Sequence, residues 1–174
     1  MINRKSTFEN IRKEFGSLSQ KQVEGFDAFF NEFEHRGLTD YRFLAYMLAT
    51  AYHETAKTMQ PIEEWGKGKG KPYEGKYYGR GYVQLTWNYN YKKATEKNTK
   101  NWNFLVNPEL ALQVEPAIWI CFEGMLNGWF TGKKLINYFK GIQENPIEAR
   151  RIINGTDKAE LIAGYYNKFL NSIV

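Results

Sequence analysis

A glycine-rich stretch at residues 64–82 interrupts a chain that otherwise carries apolar residues at helical spacing. Val23, Phe26, Phe30 and Phe33, for example, recur three or four positions apart, as on one face of a helix. Within the stretch, the run GKGKGKPYEGKYYGRG contains six glycines and one proline, which favour turns and exclude a continuous helix. The sequence therefore predicts a mainly α-helical fold with one long central loop, or a small hairpin.

Capping patterns divide the flanking segments into helices. Ser6 with Glu9 predicts the start of the first helix, and Ser19 with Gln22 predicts the start of the second, which should end at Gly37. Further helix starts are predicted at Thr39 or Asp40, near Asn88, at Asn107–Pro108, at Glu115–Pro116, at Asn145–Pro146 and at Asp157 with Glu160. These helices predict one domain over residues 1–174, a length that fits a single hydrophobic core.

The cysteine and histidine content and the hydropathy of the chain argue against a disulfide-stabilised protein, a cysteine and histidine metal site and a membrane-spanning segment. The single Cys121 excludes an internal disulfide, and no cysteine and histidine cluster has the spacing of metal ligands, so we expect no metal and no cofactor. No apolar stretch is long enough to cross a membrane. The N-terminus lacks the apolar region of a secretory signal peptide, which predicts synthesis in the cytoplasm.

Charge and aromatic content indicate two classes of ligand. The formal net charge is +5, and lysine and arginine are spread along the chain, which fits either an ordinary basic surface or attraction to a polyanion. Twelve tyrosines favour a flat surface that also forms hydrogen bonds. Carbohydrate sites and single-stranded nucleic-acid sites share that property.

Glutamates near the third predicted helix are candidates for acid–base chemistry. Glu54 follows Met47 by seven residues and Ala51 by three, which places it on the apolar side of the helix. An apolar setting favours a protonated carboxyl, as a general acid requires, and Glu63 or Glu64 could supply a second carboxylate. On spacing alone, Glu54 could equally be a helix-end carboxylate paired with a lysine.

Two segments resemble a known enzyme family. Residues 53–55 read HET, and residues 77–91 read YYGRGYVQLTWNYNY, with six aromatic residues, three amides and one arginine. Both resemble signature segments of glycoside hydrolase family 19, which includes plant-type chitinases and lysozyme-like phage endolysins. The run RRIINGT at residues 150–156 resembles a third family segment. In this chain HET is followed by AKT, where many members have two glycines.

The resemblance implies roles for individual residues. Glu54 matches the general acid of the family, and Thr86 matches the hydroxyl residue that helps to hold the attacking water. Glu64 is the preferred general base and Glu63 the alternative, while Arg80 is expected to brace the loop. Substrate contacts are expected from His53, Tyr82, Gln84, Tyr89, Asn90 and Asn154.

The resemblance also implies a lysozyme-like helix bundle that hydrolyses β-1,4 bonds in N-acetylated glycans with inversion. Inversion requires room for a water, so the two carboxyls should lie about 6.5–9.5 Å apart. Peptidoglycan is the preferred substrate over chitin, with action on the cell wall after release or export by another system. We expect a monomer that binds glycan strands, without nucleic acid or membrane insertion. A non-catalytic sugar-binding module and a single-strand-binding protein are the weaker alternatives.

Overall fold

The computed structural model describes residues 1–73 and 75–174 and is mainly helical, as predicted. The α-helices are α1 (Arg4–Phe15), α2 (Gln20–His35), α3 (Tyr41–Glu54), α4 (Asn88–Lys97), α5 (Val114–Asn127) and α6 (Ala159–Ser172). Short 3₁₀ helices span Pro108–Leu112, Leu135–Asn137 and Glu148–Ile152. Across the part of the chain that the structure describes, no helix has the length and apolar character needed to cross a membrane.

Helix α3 forms the centre of the bundle. Residues 43–52 contain no charged side chain, and from Leu44 to Tyr52 every residue is buried, so the helix is apolar on all sides. It packs mainly against α6 and also contacts α2 and α5, while α1 packs against α6. This packing fixes the last residue of the helix, Glu54, at the edge of the core.

The glycine-rich stretch forms the predicted loop and a minimal hairpin. Strand β1 (Ile62–Glu63) pairs antiparallel with β2 (Arg80–Gly81), and a second two-stranded pair joins β3 (Phe139–Lys140) to β4 (Gln143–Glu144). The β1–β2 pair closes the loop formed by the residues between the two strands. Both ends of that loop are therefore held beside the end of α3.

Arg80 braces this loop, as predicted. Its side chain is only 2% exposed and donates hydrogen bonds to the carbonyl oxygens of Lys76 and Tyr78 and to the hydroxyl of Tyr91. Its second terminal nitrogen lies 2.8 Å from a carboxylate oxygen of Glu109. A buried cation requires such partners, and these contacts tie the loop to the rest of the domain, although Nε of Arg80 is buried without a hydrogen-bond partner among the described residues.

The helix starts agree with the sequence in some places and differ in others. Ser19 and Gln22 form the predicted capping box, and Asp40 caps α3. The start predicted at Ser6 with Glu9 is wrong, because the side chain of Asn3 accepts the capping hydrogen bond and α1 begins at Arg4. Asp157 does not cap α6 either: the residue before α6 is Lys158, in a left-handed conformation without a side-chain cap.

Candidate active site

A polar cleft of about 440 Å³ opens beside the C-terminal end of α3. Three parts of the chain meet there: the end of α3, the segment from the β1 end to the start of α4, and the segment that follows α5. The cleft is lined by Glu54, Glu64, Tyr73, Gly79, Val83, Gln84, Leu85, Thr86, Trp87, Tyr89, Asn90, Phe130, Arg150, Ile153 and Asn154.

Glu54 reaches the cleft from the last position of α3 and forms an ion pair with an arginine. The Nη1 of Arg150 donates to Oε1 of Glu54 at 2.7 Å, and the two side chains are 4% and 16% exposed, respectively. The Nε of Arg150 donates to the backbone oxygen of Asp157, which fixes the guanidinium from its other side. The carboxyl is thus held in one orientation at the cleft wall.

Glu64 enters the same cleft from the residue that follows β1. Its Oε2 accepts from the backbone N–H of Gly79 at 3.0 Å, and its Oε1 accepts from the hydroxyl of Tyr73 at 3.1 Å. Burial and this hydrogen bond to Glu64 raise the pKa of Tyr73, so the phenol stays a donor. Each carboxylate oxygen has a second lone pair, so Glu64 can still accept a hydrogen bond from a ligand.

Glu63 lies outside the set of cleft-lining residues. Its carboxylate accepts from the hydroxyl of Tyr78 at 3.0 Å and lies 3.3 Å from Nζ of Lys67. Burial raises the pKa of Glu63, but the hydrogen bonds from Tyr78 and Lys67 outweigh it, and the net effect lowers this pKa. Successive residues in extended chain point in opposite directions, which separates Glu63 from Glu64.

Thr86 and Asn90 lie together in the cleft wall. The Nδ2 of Asn90 donates to the backbone oxygen of Thr86 at 2.9 Å, and Thr86 Oγ1 donates to the backbone oxygen of Gln84 at 3.3 Å. The Oδ1 of Asn90 is buried and has no hydrogen-bond partner among the described residues. A buried acceptor without a partner is costly, so this atom is suited to receive an N–H or O–H from a ligand.

Aromatic rings form part of the same wall. The rings of Trp87 and Tyr89 stack with their centroids 6.2 Å apart and an interplanar angle of 17°, and Tyr73 packs edge-on against Trp87. Tyr89 is 59% exposed. Exposed aromatic faces beside hydrogen-bonding groups are suited to sugar rings, which have apolar faces and polar edges.

The family model described as chitinase class I matches residues 25–138. The chain belongs to glycoside hydrolase family 19. Chitinase C from Streptomyces griseus HUT6037 has a similar fold, with a TM-score of 0.62 and 22% sequence identity over 94% of this chain and 74% of that one. A bacterial family 19 chitinase gives a TM-score of 0.59 and 21% identity, over 94% of this chain and 92% of its own. A comparison with curated proteins finds no match.

Membership of family 19 makes the chain a glycoside hydrolase, and the structural likeness supports the predicted lysozyme-like helical fold. The matched residues include Glu54, Glu64 and Thr86. Arg150 and Asn154 lie beyond the matched range, although both line the cleft.

Most of the predicted substrate residues line the cleft, and two do not. Gln84, Tyr89, Asn90 and Asn154 are at the wall. His53 is half-buried beside Glu54 but is not a lining residue, and burial lowers its pKa.

Tyr82 is a core residue rather than a wall residue. It is fully buried, donates its hydroxyl proton to the backbone oxygen of Met59 at 3.2 Å, and packs edge-on against Phe29. Because its ring fills the space between the loop and α2, it cannot contact a glycan in the cleft without unfolding of this region. The prediction that Tyr82 binds substrate is therefore wrong.

Four aromatic or charged residues of the cleft lining received no individual role from the sequence. They are Arg150, Tyr73, Trp87 and Phe130. Trp87 and Arg150 lie within the segments that resemble the family, so the segments themselves pointed to them. The local sequence does not distinguish a residue of the cleft wall from its neighbours in the chain. Arg150 and Glu54, for example, are 96 positions apart and meet only in the folded protein.

Proposed function

We propose that this family 19 chain cleaves β-1,4 bonds between N-acetylated sugars by an inverting mechanism, with Glu54 as general acid and Glu64 as general base. The observation that carries the proposal is the meeting of these two carboxyls in one cleft with different partners. Glu54 is paired with the Arg150 cation, whereas Glu64 accepts hydrogen bonds from neutral donors. A pair of carboxyls that face the same cleft is what glycoside hydrolysis of this kind requires.

In this mechanism Glu54 transfers its proton to the glycosidic oxygen as the bond to the anomeric carbon breaks. The carboxylate that remains is compensated by the guanidinium of Arg150. Glu64 removes a proton from a water on the opposite face of the sugar, and the hydroxyl of Thr86 helps to orient that water. The water oxygen bonds to the anomeric carbon, so the product has the inverted configuration and no covalent enzyme intermediate forms.

The wall opposite the reacting bond supplies recognition. The stacked rings of Trp87 and Tyr89 pack against a pyranose face, and Oδ1 of Asn90 accepts the N–H of an N-acetyl group. Neither contact requires a metal or a cofactor.

We propose peptidoglycan as the substrate, reached after release or export by another system. The net charge of +5 favours an anionic wall over a neutral polymer. Chitin is the second candidate, because the similar solved structures are chitinases.

The test compares the wild type with Glu54→Gln on purified peptidoglycan and on chitin oligomers. The amide is isosteric but cannot deliver a proton, so we expect kcat to fall by roughly 10²–10⁴-fold while the fold is kept. NMR of the first product should show the inverted anomer. A Glu54→Gln variant with the wild-type rate would contradict the assignment of the acid. Binding without turnover by both proteins would favour a non-catalytic sugar-binding module.

A further inference from the structure

The proposed mechanism leaves the lysine-rich part of the central loop without a role. Residues 65–71, WGKGKGK, are here named the basic rim loop. The loop lies between two cleft residues, since Glu64 precedes it and Tyr73 follows it closely. It therefore forms part of the rim of the cleft, where the portions of a substrate that project from the glycan backbone would pass.

The backbone of the basic rim loop forms a series of turns. The N–H groups of Lys67, Lys69 and Lys71 donate to the carbonyl oxygens three residues before them, at 2.8–3.0 Å. Gly68 adopts a φ of +73°, and a Cβ at this position would lie 3.0 Å from the side chains of Tyr73 and Tyr78. The glycine thus permits the turns to pack against the cleft wall.

These turns hold three lysines close together in solvent. Lys67, Lys69 and Lys71 are all exposed, and only Lys67 has an ion-pair partner, Glu63, among the described residues. Glu74, the next acidic residue after the loop, lies outside the described residues. Neighbouring like charges repel each other, and their positive potential attracts anions. Trp65, at the start of the loop, is 99% exposed.

We infer that the basic rim loop binds the carboxylates of the peptide stems that peptidoglycan carries along its glycan strand. This inference rests on the proposed function and deepens it. A stem projects from a sugar of the strand, so a strand seated between Glu54 and Glu64 can direct its stems to the rim. Chitin has no such anionic group, and the loop would then set the preference between the two substrates.

The variant that tests this replaces Lys67, Lys69 and Lys71 together with glutamine. Its matched control replaces Lys5, Lys13 and Lys97, which are also exposed and do not line the cleft. Both triple variants lose the same net charge. Each is made in the Glu54→Gln background for binding and in the active enzyme for kinetics, and thermal unfolding checks that each is folded.

Three probes are used: intact peptidoglycan freed of secondary polymers, the same material after an amidase has removed its stems, and chitin oligomers. For the loop variant we expect roughly tenfold weaker binding to intact peptidoglycan, since each exposed ion pair adds a small amount. Binding to the other two probes should not change, and the control variant should match its parent on all three. Added salt should reduce the difference between loop variant and parent.

Unchanged binding of the loop variant to intact peptidoglycan would overturn the inference. Equal losses on stem-free glycan would overturn it too, because the loop would then bind the glycan itself, including the lactyl carboxylates that the amidase leaves on it. The proposed hydrolysis fails separately if the active enzyme cleaves neither glycan, and peptidoglycan fails as the proposed substrate if the enzyme cleaves only chitin oligomers. The binding measurements in the inactive background still test the loop in that case.

Discussion

At the residue scale, Glu63 and Glu64 show that two neighbouring residues of the same type can have different surroundings and different roles. Glu64 points into the cleft with Tyr73 and the N–H of Gly79, whereas Glu63 pairs with Tyr78 and Lys67 outside the cleft lining. The sequence preferred Glu64 by resemblance only. In the structure the two side chains differ in direction, because that of Glu64 points into the cleft and that of Glu63 does not.

The two glutamates can be separated by single substitutions. Glu64→Gln removes the proposed base, and we expect kcat to fall by roughly 10²–10⁴-fold. Glu63→Gln removes a surface contact with Lys67, and we expect the rate to stay within a few-fold of the wild type. Initial rates on the preferred glycan provide the measurement. Similar, mild losses in both variants would show that neither residue is the base.

Two tyrosines of the signature segment should respond in opposite ways to truncation. Tyr89 is 59% exposed at the cleft wall, and Tyr82 is fully buried. Tyr89→Ala should weaken binding to N-acetylglucosamine oligomers and leave the melting temperature almost unchanged. Tyr82→Ala should cost about 3–5 kcal/mol of stability, as other buried aromatics do. Calorimetry measures both, and a large loss of stability in Tyr89→Ala would contradict its position at the wall.

At the element scale, the turn that follows Glu54 at the end of α3 has an unusual backbone conformation. Ala56 and Lys57 have φ values of +48° and +70°, a region that glycine occupies without strain. These are the positions at which many family members were expected to have two glycines. The backbone therefore keeps a conformation suited to glycine although the side chains differ.

Helix α2 supports this turn through a glycine. A Cβ on Gly25 would lie 1.9 Å from the backbone oxygen of Met59, which also accepts the hydroxyl proton of Tyr82. Alanine is the better helix former, but here it would displace backbone atoms. The close approach of α2 and the turn thus depends on a residue without a side chain.

A matched pair of glycine variants tests this contact. Gly25→Ala should lower the free energy of unfolding and reduce activity, because the turn that follows Glu54 must move. Gly164, in α6, has open space around it, so Gly164→Ala should stabilise the protein by about 0.5–1 kcal/mol. Chemical denaturation gives both values. Stabilisation by both substitutions would contradict the contact between Gly25 and Met59.

At the scale of the whole molecule, ion pairs and hydrogen bonds connect the chain termini to the bundle. Arg4 contacts Asp27 and Glu34 of α2, and the backbone N–H of Ile2 donates to Glu34. The N–H of Asn3 donates to the carbonyl oxygen of Val174. The carboxylate of Glu34 therefore helps to hold α1 and the residues before it against the bundle.

Stability should decrease in acid through this carboxylate. The hydrogen bond from Arg4, with that from Ile2, lowers the pKa of Glu34 below its ordinary value of 4.5. The stabilisation that Glu34 contributes is complete above pH 4.5 and is lost as the pH falls through the lower pKa that Glu34 has in the folded protein. The reason is that, as the pH falls, the unfolded chain takes up the proton at a higher pH than the folded protein does. Glu34→Gln should therefore flatten the fall in melting temperature from about pH 5 to pH 3. Glu24→Gln, on the exposed side of α2, should keep the wild-type slope.

The sequence by itself determined the class of the fold and most of the candidate site. Helices follow from local periodicity, and caps such as Ser19 with Gln22 act within one turn, so both can be inferred from neighbouring residues. The signature segments indicated Glu54, Gln84, Thr86, Tyr89, Asn90 and Asn154, all of which line the cleft. The sequence did not predict the helix cap at Asn3, because Asn3 and Ser6 are both polar residues that can cap a helix and they lie only three residues apart.

Only the tertiary structure decided the partners and directions of the side chains. The pairing of Arg150 with Glu54 joins a 3₁₀ helix to α3 across 96 positions, and no local pattern encodes it. Tyr82 and Tyr89 belong to the same segment, yet one fills the core and the other faces the cleft. Such differences depend on what packs against each side of the chain, because burial is a property of the assembled bundle rather than of the residue type.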